Sequence, residues 1–147
     1  MEGPKHDYLK YWRVVKFYAQ KKYKISTGEL EMMLFLYSEK YFTRAKFKEF
    51  DELLSWDENR FEDLVNRKWI KSFRKGTGKY RAIYELSYKG KRMVINIYKK
   101  LNGEEFPENW RTPMFLKGAS YSEKVYRNMI KQMNKEIREQ RQRPSQK

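Results

Sequence analysis

The stretch from Trp69 to Leu86 differs from the rest of the chain in the spacing of its apolar residues. Two runs rich in β-branched and aromatic residues, 69–74 and 80–86, are separated by Gly76-Thr77-Gly78. Strand-like runs joined through a loop that contains glycine predict a β-hairpin. Before and after this stretch, apolar residues recur at the spacing of an α-helix. A chain with this pattern is expected to be mainly α with one small β-hairpin.

The helices have clear sequence boundaries, because three of them are expected to begin at a capping box of the form S-x-x-E. These boxes are Ser26–Glu29, Ser55–Glu58 and Ser120–Glu123. The predicted elements, in order, are a helix over 5–23, a helix from 27, a short extended segment at 41–43, a short third helix, a fourth helix over 57–68, the hairpin, a fifth helix from 88, a structured connector over 102–118 and a last helix from 120. The apolar side of the third helix is expected to consist of Phe47, Phe50, Leu53 and Leu54.

The charge of the chain is strongly positive and unevenly distributed. The formal net charge is +15, from 34 basic and 19 acidic residues. Residues 71–100 hold ten basic residues and one acid, and the stretch from Lys71 to Arg81 holds no acid at all. A concentrated basic excess indicates a polyanionic partner, with nucleic acid as the first candidate and an anionic membrane as the second.

Several classes of protein are disfavoured by composition. No apolar run approaches the ~18 residues of a membrane span, and the first residues lack the apolar segment of a signal peptide. With no cysteine there is no disulfide framework or thiolate metal site, and the single histidine, His6, has no partner in sequence. Gly76-Thr77-Gly78-Lys79 lacks the full P-loop pattern. We therefore expect a cytoplasmic protein that is not an enzyme and needs no cofactor.

The order helix, helix, short strand, helix, helix, hairpin is that of a winged helix-turn-helix, in which the second helix of the pair faces the major groove and the hairpin is the wing. Over roughly Tyr8 to Ile137 the chain also resembles the MarR family of multiple-antibiotic-resistance regulators. Residues 69–74 are similar to the family's G-L-I-x-R motif at the start of the hairpin, and 86–90 to its L-T-x-x-G motif after it. Where the family's wing carries D-x-R, this chain has Gly78-Lys79-Tyr80, with Arg81 one position later.

This resemblance implies a homodimer that binds double-stranded DNA with one winged lobe from each subunit. It predicts a single winged-helix domain over 1–140, with the winged-helix core at 25–87, helical dimerisation parts at 5–23 and 88–140, and a basic tail at 141–147. The apolar stripes of the first and last helices are read as core or as the dimer seam. The dimerisation candidates are Trp12, Val15, Met129, Ile130, Met133 and Ile137.

The DNA-contact candidates fall into three groups. On the polar face of the fourth helix, Asn and Arg side chains offer bidentate hydrogen bonds to base edges: Asn59, Arg60, Asn66 and Arg67. At the start of the third helix, phosphate contacts are expected from Arg44 and Lys46. In the wing they are expected from Arg74, Lys75, Lys79 and Arg81.

The fourth helix has one feature that is unusual for a recognition helix. Residues 57–68 carry four acids and three bases. Asp63 lies near Arg60 and Arg67 on the helical period, so an ion pair with one of them is expected to hold that guanidinium group in a fixed position. Three functions remain open: a dimeric MarR-like transcription regulator, an architectural or virion-associated protein that binds nucleic acid without sequence preference, and a winged helix that serves as a protein-interaction module in a larger assembly.

Overall fold

Two strand pairings define the small sheet of the protein. The computed structural model describes residues 8–54 and 60–142. Strands β1 (Tyr41–Phe42) and β2 (Ile70–Arg74) both pair antiparallel with β3 (Ile83–Leu86), which gives the order β1-β3-β2. The helices are α1 (Tyr8–Tyr23), α2 (Thr27–Glu39), α3 (Arg44–Leu54), α4 (Arg60–Asn66), α5 (Tyr88–Leu101) and α6 (Tyr121–Gln142), with a 3-10 turn at Pro113–Phe115.

The element order from α2 to β3 is that of a winged helix, and this confirms the predicted fold class. The capping box at Ser26 forms as expected: its hydroxyl oxygen accepts a hydrogen bond from the Glu29 backbone N–H at 3.2 Å. The box at Ser120 also forms, through the Glu123 backbone N–H at 3.2 Å. The third box, Ser55–Glu58, and the candidate Asn59 lie outside the described residues. The described part of α4 ends at Asn66, two residues before the predicted end at Lys68.

The chain divides into two compact units, with the division inside α5. The winged-helix unit is Ser26–Ile95, and the helical unit consists of the residues before and after it. The core of the winged-helix unit is formed by fully buried side chains from α2, α4, the sheet and the start of α5: Leu30, Met33, Leu36, Leu64, Trp69, Ile70, Leu86 and Met93.

In the helical unit, polar side chains hold the predicted connector in place. The amide of Asn134, on α6, accepts a hydrogen bond from the Phe106 N–H and donates one to the Phe106 carbonyl, both at 2.8 Å. The Phe106 ring meets the buried Tyr18 ring edge-on, with centroids 5.0 Å apart. Asn134 is fully buried, so these bonds satisfy backbone groups that water cannot reach.

Two local expectations from apolar spacing are wrong. Leu53 was expected on the buried side of the third helix, but it is 73% exposed. Among the apolar residues of α3 only Phe47 is buried, while Phe50 is partly exposed and stacks on Phe35 with centroids 5.2 Å apart. The second hairpin strand was expected to begin at Tyr80 but begins at Ile83, since residues 77–80 form a turn.

Candidate nucleic-acid interface

The glycine-containing tip of the wing is a turn with exposed cations. The Thr77 N–H donates to the Tyr80 carbonyl at 2.8 Å, and the Tyr80 N–H donates to the Thr77 hydroxyl at 3.2 Å. A Cβ on Gly76 would lie 3.0 Å from the Ala82 backbone nitrogen, so this position needs glycine for close approach of the two arms. The cations of this segment are all exposed: Arg74, Lys75, Lys79 and Arg81.

An open cleft of about 570 Å³ separates the wing loop from the start of α3. Its wall is formed by residues 43–45 on one side and 76–82 on the other, with Tyr84 between them. Three of the lining residues are cationic: Arg44, Lys79 and Arg81. The cleft thus has Arg44 on one side and Lys79 and Arg81 on the other, while the remaining phosphate candidates do not line it: Lys46, Arg74 and Lys75.

Arg44 is held in this cleft by three neighbours. Its guanidinium carbon lies 4.4 Å from the centre of the Phe61 ring, its Nε donates to the Tyr84 hydroxyl at 3.5 Å, and Nη2 pairs with Glu62. The hydrogen bond to Tyr84 and the pairing with Glu62 raise the pKa of Arg44. Its side chain is still 59% exposed. A cation that is positioned yet open to solvent is suited to contact a phosphate without a large ordering cost.

Lys46 differs from Arg44 in its partner. Its Nζ pairs with Glu49 of the same helix at 3.1 Å. Such exposed pairs contribute about 0–1 kcal/mol. Lys46 is therefore easily redirected toward a phosphate.

Glu29 organises the two arginines that were predicted to read bases. Its carboxylate is 5% exposed and lies in the first turn of α2. Arg60 Nη1 lies 3.4 Å from one of its oxygens, and Arg67 Nη1 pairs with the other. The Ser26 hydroxyl donates a third hydrogen bond at 2.9 Å. Both guanidinium groups are thus directed at a buried carboxylate of a neighbouring helix.

The acids of α4 also have partners. Asp63 pairs with Arg67 at 3.1 Å, which confirms the expected ion pair, and Glu62 pairs with Arg44. Both acids lie in the first turn of α4, where a negative charge is favourable to the helix dipole. The acidic character of this helix is therefore compensated locally by arginines.

The remaining candidates on α4 differ in position. Asn66 is exposed, and Asn59 lies outside the described residues. Lys89, which the sequence did not single out, lies beside the end of the helix: its Nζ donates to the Arg67 carbonyl at 3.3 Å and sits 3.9 Å from the centre of the Trp69 ring. Glu29 was read only as part of a capping box, and nothing in the sequence links it to arginines 31 and 38 residues away.

The dimerisation candidates lie in the helical unit at different depths. Val15 and Ile130 are fully buried within the chain itself, and Met133 is 6% exposed. Trp12, Met129 and Ile137 are partly exposed. Four exposed apolar side chains of the same two helices were not among the dimerisation candidates: Tyr8, Leu9, Tyr121 and Val125.

Within residues 8–54 and 60–142, no three His, Cys, Asp or Glu side chains are grouped so that they could hold a metal ion. Over the same ranges, no helix combines the length and apolarity needed to cross a membrane.

Comparison with known proteins gives matches only among solved structures. No family model matches the chain, and no curated protein matches it. The reduced form of MarR from E. coli is similar over 88% of both chains, with 14% identity and a TM-score of 0.47. A MarR mutant from E. coli complexed with operator DNA is similar over 88% of this chain and 86% of its own, and the oxidised form over 88% and 87%, each with 14% identity and a TM-score of 0.46.

Proposed function

We propose that the protein binds double-stranded DNA through its winged-helix unit, and that it acts in the cytoplasm as a dimeric, MarR-like transcription regulator. The observation that carries the proposal is the cationic cleft between the wing and the start of α3. Arg44, Lys79 and Arg81 line it, and the wing holds no acid from Lys71 to Arg81. Phosphate contacts of this kind supply most of the non-specific affinity for DNA.

In this proposal the cations of the interface have different roles, according to the ion pairs that they form. Arg44 and the wing cations contact phosphates and set the register of the protein on the duplex. Arg60 and Arg67 each contact Glu29 through Nη1, so reading of guanine with that nitrogen requires the pair to open. Asn66, which is exposed, is the candidate for adenine recognition from this helix.

The same ion pairs favour a second function, that of a DNA-binding protein with little sequence preference. Breaking two bonds to a carboxylate that is 5% exposed has an energetic cost that phosphate contacts do not have. Selection of bound sites from a random duplex library separates the two functions. Enrichment of a common motif supports the regulator, and uniform recovery supports the non-specific protein.

The DNA-binding proposal itself is tested by titration of a labelled random-sequence duplex. The matched control is a polyglutamate of similar net charge, which carries no phosphates. We expect the duplex to bind with a strong salt dependence and the polyglutamate to bind much more weakly. Equal binding of both would mean that the basic surface serves an acidic protein partner.

The proposed dimer uses the helical unit. Leu9 of α1 and Tyr121 of α6 are 67% and 83% exposed, and Val125 is 38% exposed. Charged residues at the buried Ile130 or Met133 would disrupt the core of the unit, so the test uses exposed positions. Leu9→Glu with Val125→Glu should convert dimers to monomers in sedimentation velocity. A parent protein that sediments as a monomer at tens of micromolar would refute the dimer.

A further inference from the structure

The outer face of the sheet carries an exposed pair of aromatic rings. Tyr41 of β1 pairs in register with Glu85 of β3, and Lys71 of β2 pairs with the same residue from the other side. Side chains of residues paired in this way lie on one face of a sheet. Phe73 lies at a register shift of β2 between Ser72 and Arg74, and its ring contact with Tyr41 places it on the same face. The Tyr41 and Phe73 rings are in contact, with centroids 4.5 Å apart and planes tilted by 40°.

These rings are half open to solvent. Tyr41 is 52% exposed and Phe73 is 55% exposed. The opposite face of the sheet carries the buried Phe42, Ile70 and Leu86, so the aromatic pair contributes nothing to that core. Two large rings that lie against each other and remain half exposed form a surface onto which another planar group can stack.

The surroundings of the rings are positive. Glu85 is the acid at the centre of this face, and its side chain is 9% exposed. Lys91 Nζ lies 3.0 Å from its carboxylate and Lys71 Nζ lies 3.6 Å away. Two ammonium groups around one carboxylate leave a net positive charge beside the rings. Both lysine side chains also keep large exposed fractions, 56% for Lys71 and 43% for Lys91.

We propose that the Tyr41–Phe73 pair, with Lys71 and Lys91, binds single-stranded nucleic acid by stacking a base on the rings and pairing its phosphates with the lysines. Open aromatic faces combined with cations are the two components of single-strand recognition. Lysines are depleted at the centres of protein–protein interfaces, which disfavours a protein partner here. The four residues of this site differ from the proposed duplex contacts, because none of them lines the cleft, although Phe73 is adjacent to the wing candidate Arg74.

The test is the titration of an oligothymidylate of about 16 nucleotides, the upper end of the length that one such surface covers. Tyr41→Ala and Phe73→Ala should each weaken its binding by about 5- to 150-fold, as expected for loss of one stacked base. Tyr41→Phe keeps the ring and should bind as the parent does. The matched control is Trp110→Ala, an aromatic residue of the helical unit that is 72% exposed and should leave binding unchanged.

Duplex binding distinguishes this proposal from the function proposed above. The alanine variants should bind a random-sequence duplex within about twofold of the parent, since a paired base has no open face for stacking. Equal losses on duplex and oligothymidylate, or no loss on either, would overturn the single-strand site. Failure of the parent to bind duplex would refute only the duplex proposal.

Ultraviolet crosslinking of the parent protein gives a readout that does not depend on how the variants fold. With an oligonucleotide that contains 5-iodouracil, crosslinks should form at Tyr41 or Phe73. Crosslinks confined to other residues would overturn the proposal. It would also be overturned if polyglutamate displaced the bound oligothymidylate as effectively as unlabelled oligothymidylate does.

Discussion

Replacement of Glu29 by Gln should reveal how much the winged-helix unit depends on its buried carboxylate. The glutamine keeps the shape of the side chain and can still accept the hydrogen bond from Ser26. It removes the negative charge that faces Arg60 and Arg67. Both arginines then lose an ionic partner. The amide oxygen can still accept hydrogen bonds, but the NH2 group that replaces the other oxygen cannot accept one from a guanidinium group.

The expected loss of stability in Glu29→Gln depends on how deeply each member of the ion pairs is buried. Removing one partner of a fully buried ion pair costs about 3–5 kcal/mol. Here the carboxylate is 5% exposed but Arg60 and Arg67 are 42% and 35% exposed, so water compensates for part of the loss. We therefore expect the free energy of unfolding to fall by about 1–2 kcal/mol, between the values for buried and exposed pairs.

Urea unfolding measures this change. With a slope of about 2 kcal/mol per molar urea, the midpoint should fall by about 0.5–1 M while the slope stays constant. The matched control is Glu49→Gln, which breaks the exposed pair with Lys46 and should cost at most about 0.5 kcal/mol. Equal, small losses in both variants would refute the stabilising role of the Glu29 network.

Two further variants test single contacts. Lys91 lowers the pKa of Glu85 through a hydrogen bond, so this bond stabilises the fold above the ordinary carboxylate pKa and loses its effect as the pH falls through the lowered pKa. The stability gap between the parent and Glu85→Gln should therefore close on acidification, and a gap that stays constant with pH in thermal unfolding would contradict this. Asn134→Ala leaves the Phe106 N–H and carbonyl without their side-chain partner and should cost about 2–4 kcal/mol in chemical unfolding. As a control, Glu139→Ala at an exposed position of the same helix should cost less than about 0.5 kcal/mol. A loss as small as this for Asn134→Ala would contradict a stabilising role for the Asn134–Phe106 hydrogen bonds.

Much of the fold could be predicted from the sequence because its signals are local. A serine three residues before a glutamate, and a change from helical to strand-like spacing, each depend on neighbours within a few positions. The boxes at Ser26 and Ser120 and the hairpin near Gly76 were found in this way. The exposure of Leu53 was not, since an apolar residue at helical spacing is buried only if another element covers it.

The candidate site was predictable in composition but not in geometry. The exposed wing cations follow from a run of basic residues without acids. The pairing of Arg60 and Arg67 with Glu29 depends on the packing of α4 against α2, which no local pattern encodes. Their role in base reading, like that of Asn66, stays a prediction.

The central claim, that the wing binds DNA phosphates, is tested most directly by the salt dependence of duplex binding for Lys75→Gln with Lys79→Gln. The control, Lys117→Gln with Lys135→Gln, makes the same change in net charge at exposed positions of the helical unit. We expect the wing variant to bind every duplex more weakly and to lower the slope of log K against log salt by about 1.8, or about 0.9 per lost phosphate contact, while the control keeps the parent slope. A slope that is unchanged in the wing variant, or lowered equally in both, would contradict the account.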